Sequence, residues 1–139
     1  MSIRITLSVI ACATALAAAP ALAQTVNLKA SLSGAEEVPP TNTKGAGSVT
    51  ATYDQSSKRL TWKGDYKDLT GPATAAHFHA AEKGKNGGVA VPIAPNASPF
   101  EGSATLTAEQ EADLLAGRWY VNVHTNENKA GEIRGQLSR

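Results

Sequence analysis

Trp119-Tyr120-Val121-Asn122-Val123-His124-Thr125 alternates large apolar residues with polar ones. That period of two is the mark of a β-strand whose two faces meet different surroundings. Trp119, Val121 and Val123 share one face, and Tyr120, Asn122 and His124 share the other. An earlier stretch, Ala75-Ala76-His77-Phe78-His79-Ala80, sorts the same way, with His77 and His79 pointing together and Phe78 opposite them. All three histidines of the chain thus lie opposite the bulky apolar residues of their own strands. If the two strands are neighbours, three imidazoles converge on one polar surface.

The same period runs along most of the chain. Val26, Leu28, Ala30 and Leu32 alternate with Asn27, Lys29, Ser31 and Ser33, and Val49, Ala51 and Tyr53 repeat the pattern. Asp54-Gln55-Ser56-Ser57 reads as a hairpin loop before a strand from Leu60 through Trp62 to Tyr66. Further strands are expected over Thr74 to Ala80, Val89 to Ile93, Phe100 to Leu106, Arg118 to Thr125 and Glu132 to Leu137. About seven or eight short strands broken by Gly and Pro predict an all-β, Greek-key-like sandwich or barrel. One short helix fits between them. Thr107 caps it, Gln110 completes a capping box, Gly117 ends it, and Leu114 and Leu115 dock it on the sheet. The Glu82 to Gly88 segment reads as a Gly/Lys/Asn loop, and no repeat or second domain is evident.

Residues 1–23 have the form of a cleaved secretory signal: a short basic start at Arg4, an apolar run, and Ala21-Leu22-Ala23 before Gln24. Val9-Ile10-Ala11-Cys12 offers a rival lipoprotein-type cut that would leave a lipid anchor on Cys12. The expected product is one domain over residues 24–139, periplasmic or secreted. It is large enough to bury roughly two-thirds of its unfolded surface. The single cysteine, Cys12, falls in the leader, so neither disulfides nor thiolate chemistry are available to the mature part. With Arg4 removed, the 13 basic residues of the chain become 12, against 12 acidic ones. That balance lacks the basic footprint of a nucleic-acid binder, and no later stretch has the apolar length of a membrane span.

His77 and His79 stand roughly 6–7 Å apart along one strand face. Two neutral imidazoles at that spacing can share a metal, and His124 would complete a set of three. Imidazole suits copper and zinc, with copper the expected ion and zinc the second choice. The competing reading is three histidines that only form hydrogen bonds within the sheet. In Gly131-Glu132-Ile133-Arg134-Gly135-Gln136-Leu137, the alternation sets Glu132, Arg134 and Gln136 on one face. Beside Asn122 and His124 they would either support the imidazoles from behind or form a solvated strand face. Glu36 and Glu37 point to opposite sides, so they make no acid–base pair, and Pro39 and Pro40 end the first strand. No nucleophile elbow or phosphate loop is present, so no catalytic set is assigned.

Four segments together resemble a CHRD domain, the chordin-type module also found alone in exported bacterial proteins. They are Leu32-Ser33-Gly34-Ala35-Glu36-Glu37-Val38-Pro39-Pro40, Ala75 to His79, Leu114 to Thr125 and Gly131 to Leu137. The resemblance spans nearly the whole mature chain. It implies a compact β-rich extracytoplasmic domain and no particular activity; the expected role is a binding or interaction module, with a metal ion or an extracytoplasmic protein or matrix partner. The histidine pattern is also similar to copper/zinc superoxide dismutases: His77 and His79 match their early ligand pair and His124 their late one. Arg134 is similar in placement to their anion-guiding arginine. The bridging histidine, the zinc ligands and the disulfide of that family have no counterpart here. This likeness implies a mononuclear copper site and, as an alternative function, a superoxide-handling oxidoreductase. A structural adhesion module without metal is the remaining alternative.

Overall fold

The computed structural model describes residues 24–139. The expected leader, with Cys12 and its alternative cut, lies outside the described residues. Eight strands form in the expected places: β1 (Thr25–Ser33), β2 (Ala46–Asp54), β3 (Arg59–Lys67), β4 (Ala73–Ala80), β5 (Gly88–Pro92), β6 (Phe100–Thr105), β7 (Trp119–Thr125) and β8 (Ile133–Gln136). A single 3-10 turn, Gly34–Glu36, follows β1, and one helix, α1 (Ala108–Leu115), precedes β7.

All eight strands belong to one antiparallel sheet in the order β5-β4-β7-β8-β1-β2-β3-β6. The sheet curls on itself into a nearly closed barrel. Trp62 of β3 and Phe78 of β4, five places apart in the strand order, meet edge to face with ring centroids 5.0 Å apart. Phe78 also lies 5.8 Å from Trp119. The inward faces of the strands supply the core: Leu28, Leu32, Val49, Tyr53, Leu60, Trp62, Phe78, Val121, Val123 and Ile133 are all buried in one cluster. Their burial removes apolar surface from water, the dominant stabilising term for such a fold.

The helix forms for local reasons. Gln110 donates its backbone N–H to Thr107 Oγ1 at 3.2 Å, and Thr107 N–H donates to Gln110 Oε1 at 2.9 Å, completing the capping box. At the other end Gly117 adopts φ 74°, a left-handed conformation natural to glycine. Its N–H donates to Leu114 O, and that of Arg118 to Asp113 O, which closes the helix in a Schellman turn. Leu114 is buried, and Gln110 donates through Nε2 to Ala90 O, tying the helix to β5.

Candidate metal centre

The site begins with the register of two neighbouring strands. On β4 and β7, His77 stands opposite Asn122, His79 opposite Tyr120, and Ala75 opposite His124. Since Phe78, Val121 and Val123 face the barrel interior, the alternation puts His77, His79, Tyr120, Asn122 and His124 on its outer face. Arg134 of β8 pairs with Asn122 and extends this face by one strand.

One ligand atom from each of His77, His79 and His124 lies within 4.8 Å of the others. The ring centroids are 5.4, 5.0 and 6.2 Å apart. His79 Nδ1 is 2.9 Å from the Gly87 carbonyl, and His124 Nδ1 is 2.8 Å from the Lys129 carbonyl. A carbonyl only accepts, so both Nδ1 atoms carry the proton and both Nε2 atoms present bare lone pairs. His124 Nε2 meets His77 Nδ1 at 3.1 Å, an arrangement in which His77 donates. His79 Nε2 is buried with no hydrogen-bond partner. A buried acceptor without a donor is costly and points to a missing partner. Burial holds His77 below its usual pKa, as do the neighbouring His124 and His79. Burial also lowers His79, against the Gly87 carbonyl, which raises it. Both effects favour the neutral imidazole that a metal requires.

This donor set fits a metal ion. Two nitrogens bound to one ion at ~2.0–2.1 Å each stand at most ~4.2 Å apart, so modest ring rotations close the set. The ion would replace the proton shared between His77 and His124. Among the described residues, the cluster offers three imidazole nitrogens and no carboxylate.

The polar face is covered around His79, Tyr120, Asn122 and Arg134, while His77 and His124 are half-buried. Two connections lie across it, 34–45 after β1 and 81–87 after β4. Asn86 links them, accepting from Arg134 Nη1 at 3.0 Å and donating to the Val38 carbonyl at 2.8 Å. The Lys85 carbonyl accepts from Arg134 Nη2 at 2.6 Å, and Gly87 N–H donates to the Tyr120 hydroxyl at 3.2 Å. Tyr120 stacks parallel to His79, with centroids 4.9 Å apart, and carries the Arg134 guanidinium 3.4 Å from its ring centroid. That cation–π contact and the Gly87 carbonyl hold the His79 ring in place.

Arg134 is only 2% exposed. It is therefore neither part of a solvated strand face nor an arginine presented to incoming anions, because the 81–87 connection takes up its Nη1 and Nη2 donors. Glu132 departs further from the alternation. Its carboxylate accepts from Thr43, Thr70 and Thr125 hydroxyls, each at 2.6 Å, and from Thr70 N–H at 2.8 Å, and makes no contact with an imidazole. The cause is Gly131, whose φ of 133° breaks the strand so that β8 starts only at Ile133. Gln136 lies at the far end of the face, donating to Ala81 O and Gly117 O. Asn122 sits as expected at the centre of the face.

Glu37 is the residue that sequence reasoning passed over. Its neighbour Glu36 turns outward to Lys83 at 3.5 Å, whereas Glu37 is 5% exposed and turned inward. Burial raises its pKa to about 7, against the Arg134 guanidinium and the Asn122 amide, which lower it. Asn122 lies against both the Glu37 carboxyl and the His79 ring. A side chain at Gly131 would collide with the Glu37 carboxyl and the Asn122 amide, so this packing also requires glycine there. The signal available was the Glu-Glu pair itself, since opposite facing means that one member turns inward.

A family model described as the CHRD domain matches residues 28–137. No curated protein and no solved structure matches the chain.

Proposed function

The chain belongs to the CHRD domain family, and from that premise we propose that it is an exported binding module that takes up one copper ion through His77, His79 and His124. The observation that carries the reading is the bare, buried Nε2 of His79, beside the lone pair that His124 directs at His77. Copper supplies an electrophilic centre that neutral imidazoles satisfy. The chain's own residues do the rest: Gly87 and Lys129 carbonyls set the tautomers, and Tyr120 and Arg134 hold the ring of His79. Export follows from the leader-like residues 1–23 and suits the absence of cysteine from the mature part. Among the described residues no helix is long and apolar enough to cross a membrane.

The superoxide-handling alternative needed Arg134 to draw anions in, and its buried guanidinium removes that support. The purified mature protein should bind copper at one ion per chain and melt at a higher temperature with copper present, as expected for a ligand of the native state alone. The His77→Ala/His79→Ala double variant should lose both effects. Uptake below one ion per chain, or uptake that survives the double substitution, removes the reading in favour of an adhesion module without metal.

A further inference from the structure

Resting on the copper reading, we propose that Glu37 balances the charge of a dication captured by the three histidines, giving up its proton as the ion enters. The ligands are neutral imidazoles, and the fixed charge buried beside them is positive. Arg134 takes part in none of the ion pairs among the described residues, which are Lys58–Glu111, Lys83–Glu36 and Arg118–Asp113. Placing two further positive charges near a buried guanidinium is costly without a compensating anion.

The candidates for that anion are few. Two acidic residues are buried among the described residues, Glu37 and Glu132. Glu132 is already held as a carboxylate by hydroxyls away from the imidazoles. Glu37 lies on the site's own side, with Asn122 between it and His79. Its Oε1 is buried with no hydrogen-bond partner. The groups around it are defined on each element. The guanidinium acting on it is Arg134 of β8, and the amide beside it is Asn122 of β7. The 81–87 connection holds that guanidinium through Asn86 and the Lys85 carbonyl, while Glu36 and Lys83 pair with one another outside. Once ionised, Glu37 sets a negative charge beside the guanidinium, on the same side of the barrel as the incoming ion. Linkage makes the effect mutual: an ion that favours loss of the Glu37 proton binds more tightly once that proton has gone.

The test is calorimetric titration of Cu2+ into the mature protein and its Glu37→Gln variant, in two buffers of different ionisation enthalpy, at about pH 6. The difference between buffers counts protons released, and subtracting the variant cancels the histidine protons common to both. Wild type should release about one proton more than Glu37→Gln and bind Cu2+ at least tenfold more tightly. Equal release with equal affinity overturns the role of Glu37 while leaving the copper reading intact. Absence of Cu2+ uptake by wild type overturns both. Should the variant fail to fold, infrared difference spectra of wild type decide the matter. Loss of a protonated-carboxyl C=O band on adding Cu2+ supports the proposal, and an unchanged band refutes it.

Discussion

Glu132 shows how much one side chain organises. It is fully buried, and its carboxylate gathers donors from Thr43 after the 3-10 turn, Thr70 before β4, and Thr125 at the end of β7. Its backbone carbonyl accepts from Thr41 Oγ1 at 2.6 Å. Burial alone would raise its pKa, but the bonds from Thr125, Thr43 and Thr70 outweigh burial and hold it at about 2. Glu132→Ala strands these donors and should cost about 3 kcal/mol in urea unfolding near pH 7. Because the folded value lies below the unfolded one, the carboxylate's contribution is complete above the ordinary glutamate range and fades as pH falls toward 2. The gap between wild type and Glu132→Gln should therefore narrow on acidification, and a gap independent of pH would contradict this account. The sequence placed Glu132 beside Arg134 because strict alternation was extended through Gly131. Nothing local announced the φ of 133° that ends it.

At the scale of elements, the 81–87 connection acts as a strap across β4, β7 and β8. Its Gly/Lys/Asn composition identified a loop but not where it docks, since docking depends on Arg134 and Val38, each more than 45 positions away in sequence. The strands were easier to read. Alternation in β1, β2, β3 and β7 is a local property, and so are the capping box and Gly117 that bound α1. Asn86→Ala removes both side-chain bonds of the strap and should weaken its docking by about 1–2 kcal/mol. Faster amide hydrogen exchange across 84–88 is the expected result, with copper affinity lowered roughly five- to tenfold, as Gly87 then holds His79 less firmly. Unchanged exchange would mean that the backbone bonds of Lys85 and Gly87 suffice to dock it.

At the scale of the whole molecule, closure of the barrel brings β3 against β4, and Trp62 is the residue that spans the interior there. It is 4% exposed, and Trp62→Ala should cost about 3–5 kcal/mol, read as a fall in denaturation midpoint, because the facing walls of a nearly closed sheet cannot fully collapse on the void. A loss under 1 kcal/mol would show the barrel to be less tightly filled there. The all-β class was legible from period and breaks, but the strand order was not. That β8 returns to pair with β1 at Ser33 and Arg134 follows from which distant faces can be buried together, and one-dimensional spacing does not record it. The alternation along β4 and β7 has a last consequence, for changes of length. Gaining or losing one residue within either strand exchanges its two faces. In β7 such a shift would drive Asn122 and His124 into the apolar interior and push Val121 and Val123 outward under the loops. Point replacements along these strands are graded in effect, but a one-codon insertion or deletion at mid-strand damages folding and ligation together. Length variation compatible with both is therefore confined to the turns.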